Sequence, residues 1–99
     1  MAWETPTEDR VDVALGGDLD NLSLPGLQQA FEGFYDRGCF TVDLDLSELV
    51  FLDSSGLGAL VAAWRRCQQE GGSVTVHNPS LPVKRLMDMT GVSRLLLTP

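Results

Sequence analysis

The chain lacks any apolar run approaching the ~20 residues of a membrane-spanning helix, and no cationic start leads into an apolar stretch as a secretory leader requires. A soluble, cytoplasmic protein is the expectation. Basic residues are scarce: seven Lys and Arg stand against fourteen Asp and Glu, for a formal net charge of −7. That balance argues against binding nucleic acid or an anionic membrane through bulk charge, and favours a basic protein partner. His77 is the only histidine, and no His, Cys, Asp and Glu residues have metal-ligand spacing, so neither a zinc site nor a histidine-based nucleophile system is expected. Cys39 and Cys67 also lack short metal-type spacing, and read as small buried hydrophobes. No repeat or low-complexity segment divides the 99 residues, which are expected to form one domain over 1–99. A domain of that size buries only about 65% of its unfolded surface and has room for one site.

Apolar periodicity along the chain switches between two and 3.6 residues, with turn residues at the switches. Residues 1–9 are polar and contain Pro6, so at most a short edge strand is expected near Ala2 to Thr5. Val11, Val13 and Leu15 alternate with Asp12 and Ala14, predicting a strand that ends at Gly16-Gly17. Asp18, Asp20 and Asn21 then form an acidic loop, followed by a helix capped at Asn21 or Ser23, with Pro25 in its first turn and Gly38 as its stop. Leu24, Leu27, Ala30, Phe31 and Phe34 mark its inner face.

Phe40, Val42, Leu44 and Leu46 predict a second strand, and the buried apolar run Val50-Phe51-Leu52 follows after Ser47-Glu48. The helix after Asp53 should bury Leu57, Leu60, Val61, Trp64 and Cys67 and end at Gly71-Gly72. Val74 to His77 predicts a short strand, with His77 as a surface or capping residue at its end. Leu81 to Thr90 predicts a helix, and Val92 to Leu97 a last apolar strand. Strands alternating with helices imply an α/β fold with a mostly parallel sheet.

The most informative stretch is Asp53-Ser54-Ser55-Gly56-Leu57-Gly58, at the junction of an apolar run and an amphipathic helix. Gly56 and Gly58 begin like a dinucleotide fingerprint, but position 61 is Val and the glycines fall inside the helix, so no nucleotide cofactor is expected. The surroundings of Ser54 and Ser55 also fail the Gly-x-Ser-x-Gly pattern of a hydrolase elbow. Taken alone, Asp and Ser before an apolar helix are ordinary N-caps. The same position exposes unpaired backbone N–H groups and a partial positive charge, which favours a phosphate.

Leu44-Asp45-Leu46-Ser47 followed by Val50 to Gly58 resembles the signature of the STAS domain, specifically of bacterial anti-sigma factor antagonists. Gly17-Asp18-Leu19-Asp20, Gly71 to Val76, and Asn78 to Gly91 are similar to further family segments in the same order, so the likeness spans roughly residues 10–97. It implies a small STAS-like α/β fold, a mixed and mostly parallel sheet of four to five strands covered by about three helices. It also implies a non-enzymatic switch that needs no cofactor. In such antagonists the serine after the aspartate, by position Ser54, is phosphorylated by an anti-sigma factor that is also a serine kinase, and a serine phosphatase removes the mark. Partner contacts are expected from Asp18, Asp20 and Asn21 and from Asp53, Ser55, Gly56, Leu57 and Gly58, with Ser55 acting as a cap rather than a second acceptor. A segment before Val11 shorter than the family's puts the first edge strand in question. The chain end at Pro99 leaves little room for a terminal dimerisation helix, so a monomer is expected when the protein is free. The competing reading is a non-switching STAS subunit docked on a larger assembly, such as a lipid-transport ATPase or a stress-signalling complex.

Overall fold

Alternation of apolar and polar side chains makes the central strands, and the loss of that alternation shapes one end of the sheet. A computed structural model of the chain describes residues 2–6 and 10–97. Its elements are β1 (Ala2–Pro6), β2 (Arg10–Leu19), α1 (Leu24–Asp36), β3 (Thr41–Leu52), α2 (Ser54–Gln69), β4 (Ser73–His77), α3 (Leu81–Thr90) and α4 (Ser93–Leu96). The four strands lie in the order β1-β2-β3-β4. β1 runs antiparallel to β2, whereas β2, β3 and β4 are mutually parallel. The edge strand that the sequence left in question is thus present, while residues 7–9, between it and β2, lie outside the described residues.

Val11, Val13 and Leu15 of β2, Val42, Leu44 and Leu46 of β3, and Val74 and Val76 of β4 point to one face of the sheet. The helices cover that face with Leu27, Phe31 and Phe34 of α1, Leu57, Leu60, Ala63 and Cys67 of α2, Val83 and Met87 of α3, and Leu96 of α4. Fully burying one such aliphatic or aromatic side chain is worth about 1.5–3 kcal/mol, which is what holds the layers together. Among the described residues no polar or charged side chain is buried. The opposite face stays open and carries Asp12, Asp43, Asp45 and His77, with Asp43 accepting from Arg10 and, at 3.0 Å, bonded to His77.

Both cysteines are free and buried, as their spacing suggested. Burial pushes the Cys67 thiol up to about 11, so it stays protonated and unreactive at neutral pH. Tyr35, which stacks on Phe40 and lies under the Arg66 guanidinium, is likewise raised by burial to about 12.

Four expectations about the fold need correction. Gly16-Gly17 do not end β2, which continues to Leu19 alongside β3. Val50-Phe51-Leu52 is not a separate buried piece but the end of one long strand, and it changes register twice against β2. Pairing steps from Ala14↔Asp45 to Gly16↔Glu48, and from Gly17↔Leu49 to Asp18↔Phe51, so each step takes one more residue from β3 than from β2. These are β-bulges, and each extra residue lengthens the interval between core-facing side chains from two to three. The buried series accordingly reads Val42, Leu44, Leu46, then Leu49 and Leu52.

The last apolar run, Val92 to Leu97, is helix α4 rather than a strand. The N–H groups of Leu95 and Leu96 bond to the Val92 carbonyl, so the backbone is satisfied locally and only Leu96 is driven fully into the core. A short apolar run does not by itself distinguish the two states. Within α2 the inner face is also shifted, with Gly56 and Ala63 buried and Val61 and Trp64 only half-buried.

Candidate functional site

Parallel strands β2, β3 and β4 end at one edge of the sheet, and each hands over there to a helix N-terminus. The central handover is Asp53-Ser54. Asp53 is extended, with φ −100° and ψ −178°, and its carboxylate accepts the Gly56 N–H at 2.8 Å. Its own carbonyl accepts the Leu57 N–H at 2.9 Å. Asp53 is therefore the N-cap, a role worth about 1 kcal/mol. That corrects the expectation for Ser55, which sits exposed in the first turn.

Ser54 is the first residue of the 16-residue helix α2 and is exposed. In the open first turn, N–H groups have no carbonyl one turn behind them, and the helix dipole adds partial positive charge. An oxygen anion on Ser54 would sit in that field, close to the Asp53 carboxylate.

The two glycines, grouped by the sequence, separate in the structure. A Cβ on Gly56 would lie 2.5 Å from the Leu19 carbonyl oxygen and 2.8 Å from Leu52 Cδ1, so only glycine lets α2 begin this close to the end of β2. A Cβ on Gly58 would meet nothing within 4 Å, because that position faces outward beside Ser54 and Ser55. Leu57 is buried, at 6% exposure. Gly56 and Leu57, expected at a partner surface, face the core and seat the helix, whereas Ser54, Ser55 and Gly58 form its outer surface.

The acidic segment lies beside this turn, with Asp18 inside β2 rather than in the expected loop. The Asp53 N–H donates to the Leu19 carbonyl at 3.3 Å, and Asp18 pairs with Phe51 in the strand register. Asp18 and Asn21 are exposed. Asp20 is half-buried and works internally, its carboxylate accepting the N–H groups of Leu22 and Ser23 at 3.0 and 3.2 Å. Ser23 occupies the N-cap position of α1 without a side-chain cap bond, because its hydroxyl is engaged with Asp18 and Asp20.

Sequence reasoning missed the exposed apolar side chains of this edge: Leu22 at 90% exposure, Val50 at 70%, Phe51 at 48% and Leu81 at 61%. Val50 and Phe51 read as buried because the bulges that turn them outward have no signature in the apolar pattern. Leu81 begins α3, and Ser80 ties that start to the end of β3 by donating its hydroxyl to the Leu49 carbonyl at 2.9 Å. Among the described residues no group of three or more His, Cys, Asp or Glu is placed to hold a metal ion, and no helix is long and apolar enough to cross a membrane.

A four-stranded mixed sheet, helices on one face, and a serine at the first turn of the helix after the central strand define a recognisable class. The chain belongs to the STAS domain family, whose model, described as "Mlab, STAS domain", matches residues 4–98. Within that class its similarity is to anti-sigma factor antagonists. It is 35% identical over 85 residues to the anti-sigma F factor antagonist of Paenibacillus polymyxa, covering 85% of this chain and 73% of that protein. A crystal structure of an anti-sigma factor antagonist from Mycobacterium paratuberculosis matches with a TM-score of 0.80 at 26% identity, covering 100% of this chain and 85% of that one. The Bacillus antagonist SpoIIAA in its unphosphorylated form shares the fold, with a TM-score of 0.86 at 21% identity, covering 98% of this chain and 86% of that one.

Proposed function

We propose that this chain is an anti-sigma factor antagonist, a cytoplasmic binding protein rather than an enzyme, switched by phosphorylation of Ser54. Unphosphorylated, it binds an anti-sigma factor that is also a serine kinase, and so frees the sigma factor. Phosphate transfer to Ser54 ends the complex, and a serine phosphatase resets the chain, which is monomeric when free. The observation that carries the reading is Ser54 itself: exposed at the first position of a long helix whose cap is already supplied by Asp53.

Such a helix start tolerates a phosphate without loss of fold. The modification adds about −1.5 to −2 charge and three acceptor oxygens. The helix dipole favours that charge, by about 0.3–1 kcal/mol for a unit charge at an exposed site. For the partner, the same change introduces a hydrated dianion beside Asp53 and Asp18, where a surface has to be desolvated on docking. The fold survives while the interface fails.

Incubating the chain with its cognate anti-sigma factor kinase and ATP is expected to add one phosphate, seen by intact mass, and Ser54→Ala to abolish it. Ser54→Asp is expected to remain folded and to bind the kinase much more weakly by titration calorimetry. Phosphate on Ser55 with Ser54 unmodified defeats the assignment. The alternative reading raised by the sequence is a STAS subunit docked permanently on a larger assembly. That reading requires Ser54→Ala and Ser54→Asp to bind their partner equally.

A further inference from the structure

Four of the five large apolar side chains most exposed in the described structure lie on the one edge of the sheet that presents Ser54. Leu22 follows β2, Val50 and Phe51 close β3, and Leu81 follows β4, so neighbouring parallel strands each deliver an exposed apolar group to the same edge. The fifth, Met89 at 83% exposure, sits near the other end of α3, about 12 Å along the helix from Leu81 at 1.5 Å per residue. Scattered surface hydrophobes are ordinary, but a cluster rimmed by polar groups marks an interaction site.

These side chains are held in place rather than left loose. The Asp20 carboxylate binds the N–H groups of Leu22 and Ser23, which fixes the turn that thrusts Leu22 outward. The two bulges of β3 turn Val50 and Phe51 to solvent, and the Ser80 hydroxyl pins the start of α3, and so Leu81, to Leu49. Preorganised apolar anchors lose little conformational entropy when a partner covers them. Around them the charge has one sign along β2 and β3: Asp18 pairs with Phe51, Glu48 lies two residues before Val50, and Asp53 follows two residues after Phe51. On α3 Lys84 is paired with Asp88 at 2.8 Å, and the exposed Arg85 lies one turn from Leu81, so the negative rim is confined to the β2 and β3 side.

We infer that Leu22, Val50, Phe51 and Leu81 are the apolar anchors by which the chain grips its anti-sigma factor, and that the facing surface of that partner is an apolar patch rimmed by Arg and Lys. The inference rests on the switch proposed above and adds what supplies the affinity that phosphorylation removes. The apolar contacts hold the complex, the carboxylates steer a basic partner to it and fix its orientation, and Ser54 lies where a dianion has to be buried for those contacts to form.

Titration calorimetry of purified cognate anti-sigma factor kinase against purified variants tests this, with thermal unfolding to confirm that each variant is folded. Leu22→Asp and Phe51→Asp are each expected to weaken binding at least tenfold, and Met89→Asp to leave it within twofold. The association rate is expected to fall as salt is raised. Folded Leu22→Asp and Phe51→Asp proteins that bind within twofold of the parent, while Ser54→Asp releases the kinase, overturn the anchor surface and leave the switch standing. A parent chain that does not bind the kinase overturns the switch, and the anchor surface with it.

Discussion

The two halves of β3 obey different rules, and the difference separates what holds the protein together from what it presents at the surface. From Thr41 to Asp45 the strand is paired on both sides, with β2 and with β4, and strict alternation sends Val42 and Leu44 into the core at 0% exposure. Beyond Asp45 only β2 stays paired with it, two bulges shift the register, and Val50 and Phe51 emerge at the surface. Apolarity is common to both halves. What differs is whether the pleat is left intact. An unbroken pleat turns an alternating pattern into a core, whereas a pleat with one extra residue at two points spends part of an apolar run on an exposed rim just before Ser54 in the chain.

The largest expected contrast is between truncations in the two halves. Leu44→Ala should cost about 2–5 kcal/mol in urea unfolding, since it opens a cavity at a fully buried site. Phe51→Ala, about half exposed, should cost no more than about 1 kcal/mol. Equal costs would mean that the second half is core after all.

A smaller effect, with a change of sign, is expected where the strand hands over to α2. Gly56→Ala should destabilise by about 1–3 kcal/mol, because its methyl would press on the rigid Leu19 carbonyl. Gly58→Ala, two residues on in open space, should stabilise by about 0.5–1 kcal/mol through helix propensity. Denaturant midpoints that move in the same direction for both would break the assignment of one glycine to the fold and the other to the surface.

The smallest effect lies at the boundary between the two halves. The Ser47 N–H donates to the Asp45 carboxylate at 2.9 Å and, helped by the Ser47 and Asn78 side chains, holds its pKa below the usual carboxylate range. Since the folded value is the lower one, the resulting stability is complete above the ordinary carboxylate pKa and is lost as pH falls through the depressed value. Asp45→Asn keeps an oxygen acceptor for Ser47 but cannot take up a proton. Its stability at pH 7 should stay close to that of the parent, and its acid-side decline should be shallower. An unchanged acid limb would show that the Ser47 bond does not couple to folding.

Much of this protein was legible before any coordinates. Val11-x-Val13-x-Leu15 and Val42-x-Leu44-x-Leu46 announce strands because a period of two buries one side of a pleat. Asp53 before the α2 pattern announces a cap, and the place of Ser54 at the start of the helix follows from it. The bulges were not legible, since an extra residue depends on how two strands align and not on either strand alone. The state of Val92 to Leu97 was not legible either, because so short a segment with four apolar residues suits a strand or a buried helical turn equally, and only its place against α2, α3 and β4 selects the helix.

Local chemistry therefore determined the elements, the helix starts and the exposed serine, all of which depend on residues within a turn or a pleat of one another. Tertiary structure decided that Gly56 serves the fold and Gly58 the surface, that Asp20 holds a turn while Asp18 faces solvent, and that Leu22, Phe51 and Leu81, remote in sequence, share one edge. These are facts of alignment between strands. Parallel pairing brings the ends of β2, β3 and β4 to the same side of the molecule, and no single segment carries that information.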